Sequence, residues 1–248
     1  MKATARIAAV AEAGRTRLVT LRSEPPILVR RTGPRHTHGE VEVHLVGGAA
    51  GPLGGDRLRI EVTVGPGARL CVRTVAASLA LPGPPGTHST LDVHASVAAG
   101  GSLRWLPEPL IAARGCDHHS SSLVDLAPDA ALTWREELVC GRHAEEPGDA
   151  SLESTVRLAG RTLMRQDVAV GPRAAGWGGP AVLGGGRATG TLLVVDPLWT
   201  DKPPEPAVLG PGAARMPLAG GPAALAQAVG GDLREVRAAL DRAFPQDR

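Results

Sequence analysis

Hydrophobic positions in this chain fall on alternate residues over much of its length. Across residues 58–64, Leu58, Ile60, Val62 and Val64 face one way and Arg59, Glu61 and Thr63 the other, the period of a half-buried β-strand. Gly65-Pro66-Gly67 then supplies turn chemistry, and residues 69–74 alternate again, so a returning strand is expected there. Ahead of this pair stands a glycine cluster, Gly47, Gly48, Gly51, Gly54 and Gly55, which closes on Asp56. Such a backbone reaches positive φ and comes close to a neighbour. Looser alternation predicts an opening hairpin over residues 3–22 around Gly14, a short strand over 27–31, and a row of Val41, Val43 and Leu45 on one face. Two strands around Ala159-Gly160 in residues 152–170 and a buried strand over 188–195 follow, separated by a glycine-rich loop.

The chain also resembles itself. An apolar strand end, a small-residue turn and a leucine that opens the next strand recur at residues 64–70, 97–103 and 126–132, with offsets of 33 and 29 residues. Each unit has one apolar face that a lone pair of strands cannot hide from water, and stacking the units hides it. The predicted fold class is therefore mostly β: stacked β-hairpins or an irregular β-solenoid of layered sheets, with one or two C-terminal helices. An ordinary β-sandwich with similar turns is the alternative.

The end of the chain changes character. Residues 199–217 carry five prolines and are expected to be an irregular connection. Residues 222–229 suit a short helix. Residues 232–244 suit a clearer one, with Asp232 as cap, Glu235 three positions on, and Leu233, Val236, Leu240 and Phe244 as a stripe. The expected organisation is a β-rich scaffold over residues 1–217 with a helical segment, 218–248, packed on it.

Composition narrows the reading. With 248 residues and 43% hydrophobic, the chain can bury a sizeable core, but with aromatics at 2% that core must be aliphatic. A net charge of +2 leaves no electrostatic footprint for nucleic acid. No apolar stretch approaches the length of a membrane span. Cys71, Cys116 and Cys140 are odd in number and widely spaced, which disfavours a disulfide framework and points to a reducing cytoplasm.

The candidate chemistry is sparse. No phosphate-binding GxxxxGK[ST] run, dinucleotide fingerprint or serine nucleophile elbow is present. Cys116, His118 and His119 bring thiolate and imidazole close together, a donor set for nickel or zinc, although their spacing matches no dedicated closed site. In a strand Cys116 and His118 share a face that His119 does not, and His118 and His119 also fit a solvated loop. His36, His38 and His44 lie upstream. In residues 132–140, alternation places Glu136 among Leu132, Trp134, Leu138 and Cys140, so it needs either an arginine partner or a functional role. Asp56 fits an ordinary turn or cap equally well.

Four runs in the same order carry a resemblance: GGD followed by alternating apolar residues at 54–70, LRWLPEPLI at 103–111, WREELVCGRH at 134–143, and GTLLVV at 190–195. Together they resemble the urease accessory protein UreD family, called UreH in some species, over roughly residues 40–196. The resemblance implies a non-catalytic scaffold with a helix-like stack of sheets. It implies that the scaffold binds UreF, meets the GTPase UreG through UreF, docks on apo-urease, and passes nickel transiently with no tightly bound cofactor. Carried over position by position, Gly54, Gly55 and Asp56 match the GGD run, Glu108 lies in the LPEP run, and Trp134, Glu136, Gly141 and Arg142 match the third run. Asp56, Glu108 and Glu136 are then the nickel-transit candidates. From Arg73 to His88 the chain departs from the family pattern, so contacts made there by relatives do not carry over. Two other readings remain: a β-solenoid enzyme or lectin acting on carbohydrate, which would need aromatic platforms, and a metalloenzyme built on Cys116, His118 and His119.

Overall fold

The computed structural model describes residues 1–33 and 39–244. His36 and His38 lie outside the described residues.

Alternation becomes two stacked sheets. The first contains β1 (Lys2–Glu12), β2 (Arg15–Arg22), β5 (Arg57–Val64), β8 (Ser89–Val97), β11 (Asp117–Leu126), β13 (Asp149–Leu158) and β14 (Arg161–Val170), in the order β14-β13-β11-β8-β5-β1-β2. The second contains β3 (Ile27–Thr32), β4 (Glu40–Gly47), β6 (Arg69–Thr74), β9 (Ser102–Leu106), β12 (Ala131–Cys140), β15 (Ala188–Val195), β16 (Ala207–Gly210), β17 (Ala213–Leu218) and β18 (Ala223–Gly230). Two short strands, β7 (Ser78–Ala80) and β10 (Leu110–Ala112), extend it beside β12. A helix, α1 (Leu233–Ala243), packs on the outer face of the second sheet against Ala188, Leu192, Ala226 and Ala228.

The chain crosses between the sheets at each coil, so β5, β8, β11 and β13 pair in parallel in one sheet, as do β6, β9 and β12 in the other. This is the solenoid form of the predicted stacking. Residues 58–64 and 69–74 accordingly do not pair as a hairpin; their turn is an arch between sheets. The three repeated turns stack on one another: Val64 lies beside Val97 and Val97 beside Leu126, while Leu70 lies beside Leu103 and Leu103 beside Leu132. Leu158 adds a rung after Leu126, outside the three repeated turns. Gly67 and Gly100 hold positive φ at equivalent arch positions, 66° and 63°, where a side chain would be strained. Between the arches the core is aliphatic, capped by Trp105 stacked on Trp134 with centroids 5.0 Å apart.

The C-terminal expectations need two corrections. Residues 222–229 do not form a helix: β18 runs antiparallel between β15 and β17, with Ala223, Ala224, Ala226 and Ala228 buried. Alanine favours helix in isolation, but here its small side chain fits a strand sandwiched between the core and α1, and tertiary packing overrides the propensity. The proline-rich connection is also not wholly irregular. It contains a 3-10 turn at Pro197–Trp199 and the strands β16 and β17. Pro217 is tolerated because β16 pairs β17 only as far as Arg215, so no strand calls for its missing N–H. Helix α1 forms as predicted, with Asp232 accepting from the Glu235 N–H at 3.0 Å. Gly190 lets it sit close, since a Cβ there would lie 2.8 Å from a Val236 methyl.

Candidate functional site

Away from the arches the two sheets part. The space between them holds a cleft of about 400 Å³, walled by Leu58, Ile60, Leu91, Val93 and Leu152, with Trp105 on the opposite side. Exposed residues of the loops Ala49–Ala50 and Val75–Ala77 lie along it, as does half-buried Glu108. The segment 74–79 therefore borders the opening. Thr74 ties that segment to the LPEP loop, its hydroxyl accepting from the Glu108 N–H at 2.8 Å.

One strand makes the cleft polar. On β11 alternation points His118, Ser120 and Ser122 inward; the neighbouring strands carry aliphatic residues beside the two serines, Leu91 and Leu58 at one position and Val93 and Ile60 at the other, and Ser89 beside His118. Glu136 of β12 meets this row: Oε1 accepts from Ser122 Oγ at 3.1 Å and Oε2 from Ser154 Oγ at 2.5 Å. Two hydroxyls, rather than the arginine considered from sequence, thus satisfy Glu136. Both donors are neutral and no ion pair among the described residues engages this carboxylate, which suits attraction of a cation.

His118 is fully buried, not a solvated loop residue. Its Nδ1 lies 2.8 Å from Ser89 Oγ, and its Nε2 has no hydrogen-bond partner among the described residues. Burial drives its pKa down to about 4, with His119 adding to the shift, so the ring is neutral at physiological pH.

The other candidates separate. Cys116 belongs to a small apolar cluster with Ala112, Leu138 and Cys140. Its thiol donates to the Asp149 carbonyl at 3.5 Å, and desolvation pushes its pKa up to about 11, so at neutral pH it is not a thiolate ligand. His119 points outward, with Nδ1 2.8 Å from Ser151 Oγ and Nε2 3.3 Å from Asp117. Among the described residues no three His, Cys, Asp or Glu side chains assemble into a metal-holding group.

Asp56 is buried but does not line the cleft. Its Oδ2 accepts from the Leu53 N–H at 3.0 Å, and its Oδ1 meets the Met1 ammonium. Gly54 supplies the close approach expected of the glycine cluster, since a Cβ there would lie 2.7 Å from the Gly83 nitrogen. Gly55 adopts φ 96°. Gly141 adopts φ 79° where the chain turns out of β12. Arg142 closes that turn on Glu145 through Nε–Oε2 at 2.8 Å and a second nitrogen to Oε1 at 2.7 Å. This pairing holds the Glu145 carboxyl down at about 2. Trp134 is core.

Glu108 and Glu137 form a feature that alternation does not reveal. Arg237 of α1 donates to Glu137 at 2.7 Å and to Glu108 at 2.9 Å, which raises its own pKa. Glu137 is fully buried on the helix side of the strand, next in sequence to Glu136. Of the carboxylates lining the cleft, Glu108 and Glu137 are therefore neutralised by an arginine and Glu136 is held by hydroxyls alone. The 100 residues between Glu137 and Arg237 explain why sequence reasoning missed the pair.

Fold and site together define a class: a two-sheet solenoid body whose inter-sheet space opens, at one end, into a cleft bearing a hydroxyl-held carboxylate and a bare imidazole. Comparison with known proteins supplies the family. The family profile described as UreD urease accessory protein matches residues 1–245. Urease accessory protein UreD of Streptomyces avermitilis is 48% identical over 246 residues, covering 98% of this chain and 96% of the relative. Urease accessory protein UreD 2 of Saccharopolyspora erythraea is 45% identical, covering 97% and 86%, and urease accessory protein UreD of Streptomyces coelicolor is 45% identical, covering 98% and 96%. The chain belongs to the UreD urease accessory protein family.

Proposed function

We propose that this chain is a non-catalytic scaffold of urease maturation, acting in the cytoplasm, and that nickel crosses it through the inter-sheet cleft without being retained. It would dock on apo-urease and bind UreF, reaching the GTPase UreG through UreF. The observation that carries the passage is the cleft itself, with Glu136 inside it and, among the described residues, no cationic partner on that carboxylate. A transit path calls for oxygen ligands that hold a divalent ion and let it go, and a carboxylate flanked by serines meets that need better than a closed thiolate site. Glu136 is the transit residue the geometry favours. Glu108 borders the opening but is engaged by Arg237, and Asp56 anchors a turn beside the first strand.

The family membership supports the maturation role, and no helix among the described residues is long and apolar enough to cross a membrane. The test is co-expression of a urease operon with and without this chain, followed by nickel-dependent urease activity. Full activity in its absence refutes the role. With Glu136→Gln in place of the native chain, activity should fall while co-purification with UreF and urease persists; undiminished activity removes Glu136 from the path.

A further inference from the structure

If the cleft passes a cation, what makes it prefer nickel to the hard divalent ions that oxygen ligands suit best? Its polar wall is almost all oxygen: Thr74, Ser78, Ser120, Ser122 and Glu136 present hydroxyls and a carboxylate. Oxygen-only surroundings favour magnesium, calcium or manganese, whereas an imidazole shifts preference toward nickel, copper and zinc. Among the described residues lining the cleft, His118 alone offers a nitrogen lone pair.

We infer that His118 is the specificity-determining residue of the passage, an imidazole whose Nε2 meets the passing ion, and that Ser89 is the positioning residue that keeps this nitrogen bare. This rests on the passage reading above. Geometry supports it in three ways. His118 is fully buried and lines the cleft, yet Nε2 has no partner among the described residues. An unpaired polar atom in a buried ring is costly unless something else engages it. Second, Ser89 is itself fully buried and contacts two groups, His118 Nδ1 at 2.8 Å and the Asp117 carbonyl at 3.4 Å. A serine has one proton to donate. Given to the carbonyl, it leaves Ser89 Oγ to accept from Nδ1–H, so that Nε2 carries the lone pair. This is the way metal-binding histidines are usually oriented from behind. Third, His118, Ser120 and Ser122 face inward on one strand. At about 3.3 Å per residue the two ends of this row are too far apart for one ion to touch His118 and Glu136 together. The two groups are successive contacts, so neither builds a site that traps the ion.

The test uses the purified full-length chain, with Ni²⁺ and Mg²⁺ titrated separately by calorimetry. The native chain should bind Ni²⁺ more tightly than Mg²⁺. His118→Gln should lower that ratio at least about tenfold with Mg²⁺ binding unchanged, and Ser89→Ala, which keeps the imidazole, should lower it by about tenfold, the usual lower range for loss of an outer partner. His119→Gln, the exposed neighbour, is the control and should change nothing. An unchanged ratio in His118→Gln, or a loss that follows His119 instead, overturns the inference while leaving the passage intact. Absence of any saturable binding that responds to Glu136→Gln overturns both. Nitrogen-15 shifts of the imidazole in metal-free protein read the orientation without activity or metal: a bare Nε2 supports the inference, and an Nε2–H form overturns it. Circular dichroism of each variant confirms that it folds.

Discussion

The same strands build two unlike halves of the inter-sheet space. Toward the arches, Val62 and Val64 of β5, Ala95 and Val97 of β8, and Val124 and Leu126 of β11 interdigitate with Leu103, Leu132 and Trp134 in a dry aliphatic core. Four to six residues earlier on the same strands, Leu58, Ile60, Leu91 and Val93 wall a cleft instead, and β11 contributes His118, Ser120 and Ser122. Coil geometry is shared, so side chains make the difference. Replacing an aliphatic rung by serines removes both the volume and the driving force to close the gap, and the half-buried Glu136 carboxylate facing them keeps the sheets from collapsing there.

The largest effect that would sharpen this contrast is a truncation at each end. Leu103→Ala, in the fully buried row, should cost about 3–4 kcal/mol of unfolding free energy, the range for a buried leucine whose cavity cannot close. Leu91→Ala, on the half-buried wall of an existing cavity, should cost about 1 kcal/mol, because less packing is lost. Equal shifts in denaturation midpoint would break the comparison. Next, the two adjacent glutamates should part company. Glu137→Gln disrupts a buried ion pair and should destabilise by about 3 kcal/mol, whereas Glu136→Gln should cost under about 1 kcal/mol because serine hydroxyls can still donate to the amide oxygen.

A third prediction uses pH on metal-free protein. The folded pKa of His118, about 4, lies below its ordinary value of 6.5, so folding favours the neutral ring. Stability is then fully present above pH 6.5 and is lost as pH falls from there toward 4, by about 3 kcal/mol. His118→Gln should flatten that part of the profile, and an unaltered profile would mean the ring is not desolvated. The smallest effect lies at the far end of the molecule: Asp232→Ala removes the cap of α1 and should cost about 1 kcal/mol, read as a small drop in Tm.

Much of the solenoid half was legible from the chain. The recurring turns are the arches, and the leucines and valines chosen to align them do lie side by side. What alternation could not distinguish is a hairpin from an arch, because both present the same local period; only pairing with residues about thirty positions away decides. The antiparallel C-terminal half was read less well, since alanines in β18 carry a helix propensity that neighbours on both faces override. In the site, Glu136 was found because it interrupts an apolar row. His118 was noticed for its donor atom, yet its burial depends on strands β8 and β13 closing over it. A usable signal existed in DHHSSSLV, where Ser120 and Ser122 occupy positions that are aliphatic in the two preceding strands of the same sheet, Leu91 and Val93 of β8 and Leu58 and Ile60 of β5. Ser89 and Arg237 gave no local signal, since each matters only through a partner distant in sequence.

The account turns on the cleft being used as a passage, and the most direct measurement is to plug it. Ser120→Trp places a large side chain inside the cleft from a strand whose outer face is untouched. Nickel-dependent urease activity should drop to near the level without the chain, while the variant still co-purifies with UreF and apo-urease and retains its strand signature by circular dichroism. Full activation by a folded, plugged variant would contradict the passage.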